Sequence, residues 1–130
     1  MSIYFLTIFI LRIKLIYLFS GSLTYLDVKI PPKHLLQIAL SCRNLQTLKQ
    51  INVETYEDFL QIVEARKSTL KEIEICSDLN SEAFDLLQDC QMVERLTIHS
   101  RNFRNIEVLT KLNHLATLQF PVRSNCLTGD

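Results

Sequence analysis

The sequence predicts an α/β fold, a solenoid of stacked strand-helix units whose short strands form one parallel sheet. Three observations lead to this fold class. Aliphatic pairs three residues apart recur along the chain, the distance between them is nearly constant, and apolar residues at helical spacing fill the intervals. A chain of 130 residues has the length of a single domain, so we expect all the units to share one core.

Five segments carry the strand signal, and each opens with a pair of aliphatic residues. They begin, in order, at Leu23, Leu45, Leu70, Val93 and Leu115. The four intervals between these starts are therefore 22, 25, 23 and 22 residues. In four segments a third apolar residue follows two positions after the pair, giving the pattern LxxLxL. The second segment has Gln50 at that place with Ile51 beside it, which predicts a β-bulge or a shifted register.

Each interval between strands contains a predicted helix. Pro31 and Pro32 mark the start of the first helix, because proline is tolerated in a helix's first turn. Thr55 and Ser81 are candidate caps of the second and third helices, since a side-chain oxygen can accept the first free amide protons. The apolar stripes of three helices are predicted at Leu36, Ala39 and Cys42, at Phe84, Leu87 and Cys90, and at Ile106, Leu109 and Leu112. The second helix deviates: its corresponding residues, Leu60, Val63 and Arg66, lie one residue further from the next strand, in keeping with the longer interval there.

The composition argues against several classes of function. Fourteen basic residues balance fourteen acidic ones, so we expect no nucleic-acid partner, which would require clustered positive charge. The only glycines are Gly21 and Gly129, which excludes a glycine-rich phosphate-binding loop. The sequence also contains neither a nucleophile-base pattern nor a metal-ligand motif of the CxxC or HExxH type. We therefore predict a protein that is not an enzyme and that holds no metal or cofactor.

The four cysteines, at positions 42, 76, 90 and 126, are predicted to be buried, unpaired thiols. Two of them occupy equivalent places, in CRNLQTL from Cys42 and in CQMVERLTI from Cys90. A small apolar thiol suits the tight junction at which a helix returns to a strand. We interpret these two cysteines as core spacers.

CRNLQTL and CQMVERLTI also carry a family resemblance. From Leu23 to Phe120 the chain resembles the ribonuclease-inhibitor-like class of leucine-rich repeats, which have periods of about 20 to 29 residues. The two cysteine-containing units are most similar to the repeats of F-box/leucine-rich-repeat proteins. That resemblance implies a substrate-recognition role in a ubiquitin-ligase adaptor. Contact with a Skp-type adaptor would need an F-box, which residues 1–22 do not resemble, and we expect the chain to be a fragment of a longer solenoid.

The chain divides into an apolar N-terminal segment, residues 1–22, the repeats, residues 23–120, and a tail, residues 121–130. Between Ile3 and Phe19 fourteen residues are apolar or tyrosine. This segment is a cap over the first unit, a membrane helix made marginal by Arg12 and Lys14, or a signal peptide. We expect a cytoplasmic or nuclear protein, and a membrane-tethered or secreted one if the segment acts in either of the last two ways.

The candidate binding site is the exposed face of the sheet, because residues between the buried aliphatics of a strand point outward. One predicted column of outward residues contains Tyr25, Thr47, Glu72, Arg95 and Thr117, and the next contains Asp27, Lys49, Glu74, Thr97 and Gln119. We select seven of these as partner-binding residues: Tyr25, Asp27, Lys49, Glu72, Glu74, Arg95 and Thr97. Mixed charges with a tyrosine and an arginine are typical of protein-recognition surfaces, so we expect a protein partner. The alternative is a solvated polar face without a partner.

Overall fold

A computed structural model describes residues 13–101 and 103–121 of the protein. It is an α/β structure with a five-stranded, all-parallel, open sheet, in which strand order follows chain order. The strands are β1 (Tyr25–Asp27), β2 (Thr47–Ile51), β3 (Glu72–Ile75), β4 (Arg95–Ile98) and β5 (Thr117–Gln119). The helices are α1 (Pro32–Ser41), α2 (Tyr56–Arg66), α3 (Ser81–Asp85) and α4 (Ile106–Thr110), and a 3₁₀ turn, Leu86–Asp89, continues α3. The predicted α/β class and the parallel sheet are confirmed.

The aliphatic pairs of the sequence align across the sheet. The second member of each pair lies in register with the next, in the row Leu26, Leu48, Ile73, Leu96 and Leu118. The first four of these residues are buried, whereas Leu118 is 37% exposed because β5 is the last strand of the sheet among the described residues. The regular pairing is compatible with a repeat solenoid.

The core lies between this row and the helices. Strand and helix side chains form a single buried cluster, and Phe59 of α2 and Phe84 of α3 are its largest fully buried members. Since the buried residues of the strands all face the helices, the opposite face of the sheet carries none of the described helices. We call that surface the open face.

The predicted irregularity in the second segment is confirmed as a β-bulge. The register between β2 and β3 shifts between Leu48 and Ile51, and Gln50 adopts a positive φ of 56°. The extra residue allows Leu48 and Ile51 to be buried together although they lie three residues apart.

Two of the three predicted helix starts are confirmed. Pro32 is the first residue of α1, and the Thr55 hydroxyl accepts the Asp58 amide proton at 3.2 Å. The prediction that Ser81 caps α3 is wrong. Asn80 does so instead, because its extended backbone directs Oδ1 to the amide of Ala83, 2.9 Å away, whereas Ser81 already lies inside the helix.

The predicted apolar stripes agree fully with the structure only in the third helix. In α1 and α2 the predicted Leu36 and Leu60 are partly buried, and the buried helix residues include Leu35, Ile38, Phe59 and Ile62 instead. Phe84, Leu87 and Cys90 are all buried, as predicted. The prediction that Ile106 is buried is wrong. This residue is 61% exposed, because it is the first residue of a five-residue helix. Val108 and Leu112 supply the buried contacts of that unit.

Residues 13–18 are helical and lie beside the first strand unit. Ile13 and Ile16 pack against the core, while Leu15 and Leu18 are exposed. These two residues therefore cover part of the apolar surface beside the first strand. Within residues 13–101 and 103–121, none of the helices has the length and apolar character that crossing a membrane demands. Residues 1–12, and residues 122–130 of the tail, lie outside the described part of the chain.

Candidate functional site

The first predicted column of the open face is present in full. Tyr25 pairs with Thr47, Thr47 with Glu72, Glu72 with Arg95, and Arg95 with Thr117. Parallel strands in register bring equivalent residues side by side, about 4.8 Å apart, so the column runs straight across all five strands. The sequence prediction therefore placed these side chains correctly relative to one another.

The second predicted column is interrupted. Asp27 pairs with Lys49, and Glu74 pairs with Thr97, which pairs with Gln119. The bulge in β2 separates these two halves, so Lys49 is not in register with Glu74. Gln50 occupies the gap and donates its backbone N–H to Glu74 Oε1 at 3.1 Å.

Lys49 joins three strands in one cluster. Its Nζ lies 3.5 Å from Glu72 Oε2 and 5.7 Å from the centroid of the Tyr25 ring. Burial lowers the pKa of Lys49, but the Glu72 carboxylate and Tyr25 outweigh this effect and raise the pKa overall. Lys49 therefore stays charged, and the Glu72 carboxylate and the Tyr25 ring already interact with this charge.

Gln50 links the strands on either side of it. Its side-chain amide donates to Asp27 Oδ1 at 2.7 Å, and its backbone N–H bonds to Glu74. Sequence reasoning missed this role because a polar residue at an apolar position of the pattern indicated only a local defect. The unusual residue was itself the available signal, since bulges often redirect a polar group toward a functional surface.

Glu74 also pairs with a histidine that the sequence analysis did not select. His99 Nε2 lies 2.9 Å from Glu74 Oε2, and the His99 side chain is only 6% exposed. Nδ1 of the same ring is buried and has no hydrogen-bond partner in the described part of the chain. One signal could have found His99: it directly follows β4 just as Cys76 follows β3, one 23-residue interval earlier.

Arg95 and Tyr25 are the most available of the selected residues. Tyr25 is 54% exposed, and Arg95 is exposed and forms no ion pair with any residue in 13–101 or 103–121. Three inter-strand steps, about 14 Å, separate the two side chains. Thr97 contributes a hydroxyl that lies 3.5 Å from Gln119 Oε1, a weak contact.

The cysteines behave in two ways. Cys42 and Cys90 are free, fully buried thiols, as predicted. Burial raises the pKa of Cys42, against the lowering effect of Arg66, and burial raises the pKa of Cys90 to about 12. The prediction is wrong for Cys76, which forms a disulfide. Cys126 lies outside the described residues.

The open face therefore presents an exposed aromatic ring, a guanidinium that forms no ion pair with the described residues, and two carboxylates, Glu72 and Glu74, that are paired within the face. This arrangement is suited to non-covalent recognition, because the unpaired groups can meet a partner without breaking existing ion pairs. Comparison of the chain with protein-family models and with curated proteins finds no match.

Proposed function

We propose that the protein is a leucine-rich-repeat solenoid that binds a protein partner on its open face and catalyses no reaction. The observation that best supports this proposal is the continuous column from Tyr25 to Thr117. It places an exposed ring, and a guanidinium without an ion pair among the described residues, on one rigid surface. Sites on strands hold their geometry better than sites on loops, so such a surface recognises a partner at little entropic cost.

The solenoid part of the proposal is supported by the repetition of one unit. Each strand pairs with the strand of the next unit, and equivalent aliphatic residues share one row. Units of this size cannot bury their apolar face alone, and stacking gives them a common core.

The chemistry of the partner follows from the two available side chains. Arg95 suits a carboxylate of the partner, because its planar guanidinium offers paired N–H donors. Tyr25 offers an aromatic surface with a polar tip, which suits an apolar side chain of the partner. A polypeptide lying across the strands, with these two groups about 14 Å apart, would engage both.

The resemblance of the cysteine-containing units extends the proposal to substrate recognition for a ubiquitin ligase. That role requires an F-box for Skp binding, and it is tested separately by finding whether a longer transcript encodes one. Failure of that longer product to co-precipitate with a Skp adaptor would leave partner binding as the whole of the proposed function.

Site-specific photo-crosslinking in cells tests the binding face. A benzophenone amino acid at Thr117, on the open face, should crosslink a partner, whereas the same group at Glu57 on α2 should not. Arg95→Glu and Tyr25→Ala should each reduce the crosslinked product about tenfold or more, as expected for residues at the centre of an interface. Arg43→Glu and Met92→Ala are the matched controls, because both residues are exposed outside the column.

Crosslinks that form equally from Glu57, or that persist in both open-face variants, would contradict the proposal. Circular dichroism and urea unfolding of each variant distinguish a lost contact from a lost fold.

A further inference from the structure

Three potential metal ligands converge at the ends of β3 and β4. One ligand atom each from Glu74, Cys76 and His99 can be chosen so that all three lie within 4.8 Å of one another. Cys76 and His99 are buried, and the Glu74 side chain is 21% exposed and opens toward the solvent.

The strand geometry accounts for this convergence. Glu74 and Cys76 are two residues apart along an extended chain, so their side chains point to the same side. The His99 amide donates to Ile75 O at 2.9 Å, which continues the pairing of the two strands beyond their ends. Cys76 and His99 are therefore lateral neighbours, and Glu74 lies beside both.

Two further contacts prepare the cluster for a cation. The backbone N–H of Gln50 holds Glu74 Oε1, which leaves Oε2 directed at the histidine. The second contact is that of His99 Nε2 with Glu74 Oε2, which lie 2.9 Å apart, so that this ring nitrogen already faces the carboxylate. An imidazole beside a carboxylate and a cysteine sulfur is a ligand set that zinc accepts.

We propose that reduction of the Cys76 disulfide completes a Zn²⁺ site formed by Glu74, Cys76 and His99. Two equivalents of a low-molecular-mass thiol supply two electrons and two protons, break the S–S bond and leave as their own disulfide. Zn²⁺ then binds the Cys76 thiolate, a neutral His99 nitrogen and the Glu74 carboxylate, and releases the thiol proton to solvent. A solvent molecule takes the fourth position.

The distances fit a small rearrangement. Zinc bond lengths of about 2.0 to 2.3 Å put neighbouring ligand atoms of a tetrahedral site about 3.3 to 3.6 Å apart. His99 Nε2 and Glu74 Oε2 are 2.9 Å apart, so they need to separate by only a few tenths of an ångström to admit the ion between them. The sulfur lies within 4.8 Å and can approach by a rotamer change.

Cobalt(II) titration tests the site, because Co²⁺ replaces zinc and gives a sulfur-to-cobalt charge-transfer band. The full chain is reduced with dithiothreitol, desalted without oxygen and titrated in parallel with the untreated disulfide form. We expect one equivalent of Co²⁺ to produce the band in the reduced form only, and Zn²⁺ to displace it. Cys76→Ser should abolish the band, and His99→Ala should weaken binding by more than the roughly 10- to 100-fold cost of losing an outer-shell contact.

His114→Ala is the matched control, since His114 is exposed and should leave the titration unchanged. An identical titration before and after reduction, no sulfur band in the reduced form, or a band that survives both Cys76→Ser and His99→Ala would overturn the proposal. The comparison of oxidised with reduced protein needs no substitution, so it decides the matter even if a variant does not fold.

Discussion

At the residue scale, Gln50 shows how one position organises a surface. Its backbone φ is positive, which is rare for residues other than glycine. Two hydrogen bonds, to Asp27 and to Glu74, compensate for the resulting strain. The residue that breaks the aliphatic pattern thus joins three strands.

Substitution of Gln50 separates the backbone conformation from the side-chain contact. Gln50→Val should lower the free energy of unfolding by about 1 to 3 kcal/mol, because a β-branched residue resists a positive φ and loses the bond to Asp27. Gln50→Asn, which tolerates this conformation, should cost less than about 1 kcal/mol. Urea denaturation measures both values, and equal effects would show that the conformation at residue 50 carries no strain.

Cys90 should make stability fall in alkali. Its pKa is raised from 9.0 to about 12 by burial, so the unfolded chain loses the thiol proton first. The contribution of the protonated Cys90 thiol to the free energy of unfolding is therefore complete below pH 9. It is lost as the pH rises from 9 toward 12, by at most about 1.4 kcal/mol per pH unit. Cys90→Ala should show a shallower decline in unfolding free energy over this interval, and parallel curves would refute the assignment.

At the scale of the elements, the helix starts decide where each helix meets the core. Thr55 caps α2 as predicted, but the cap of α3 is Asn80, one residue before the serine that the sequence favours. Both residues can cap a helix, and the backbone conformation selects between them.

Replacing each candidate cap of α3 by alanine compares their contributions to stability directly. Asn80→Ala should cost about 1 kcal/mol of stability, because the Ala83 amide loses its acceptor. Ser81→Ala should cost less, since its hydroxyl makes only a 3.4 Å contact with Asn105. Thermal unfolding followed by circular dichroism ranks the two, and the reverse order would place the cap at Ser81.

At the scale of the whole molecule, the apolar residues of β2, β3 and β4 are the most deeply buried, and burial decreases toward β5. Phe84 packs edge-on against Phe103 with ring centroids 5.1 Å apart, and Phe103 contacts Phe120, which is 45% exposed. All three residues of β5 are exposed, and among the described residues β5 pairs only with β4.

Local stability should follow this gradient. Backbone amides of β3 should exchange with deuterium at least about tenfold more slowly than those of β5, because β3 pairs on both sides and β5 only on one. Hydrogen-deuterium exchange read by mass spectrometry gives both rates. Equal protection of the two strands would indicate a single cooperative unit that includes the edge.

The sequence by itself determined the order of strands and helices, the row from Leu26 to Leu118 and the column from Tyr25 to Thr117. These features follow from periodicity, because alternation fixes which side chains face the core and the nearly constant interval fixes which residues become neighbours. The bulge at Gln50 could also be predicted, since it interrupts a repeated pattern.

Only the tertiary structure decided the pairing of Glu74 with His99, the interruption between Lys49 and Glu74, and the exposure of Ile106. Each depends on distances between residues of different units, which a pattern of residue types does not contain. The disulfide at Cys76 has the same origin, because sulfur atoms pair by proximity and orientation in space rather than by spacing along the chain.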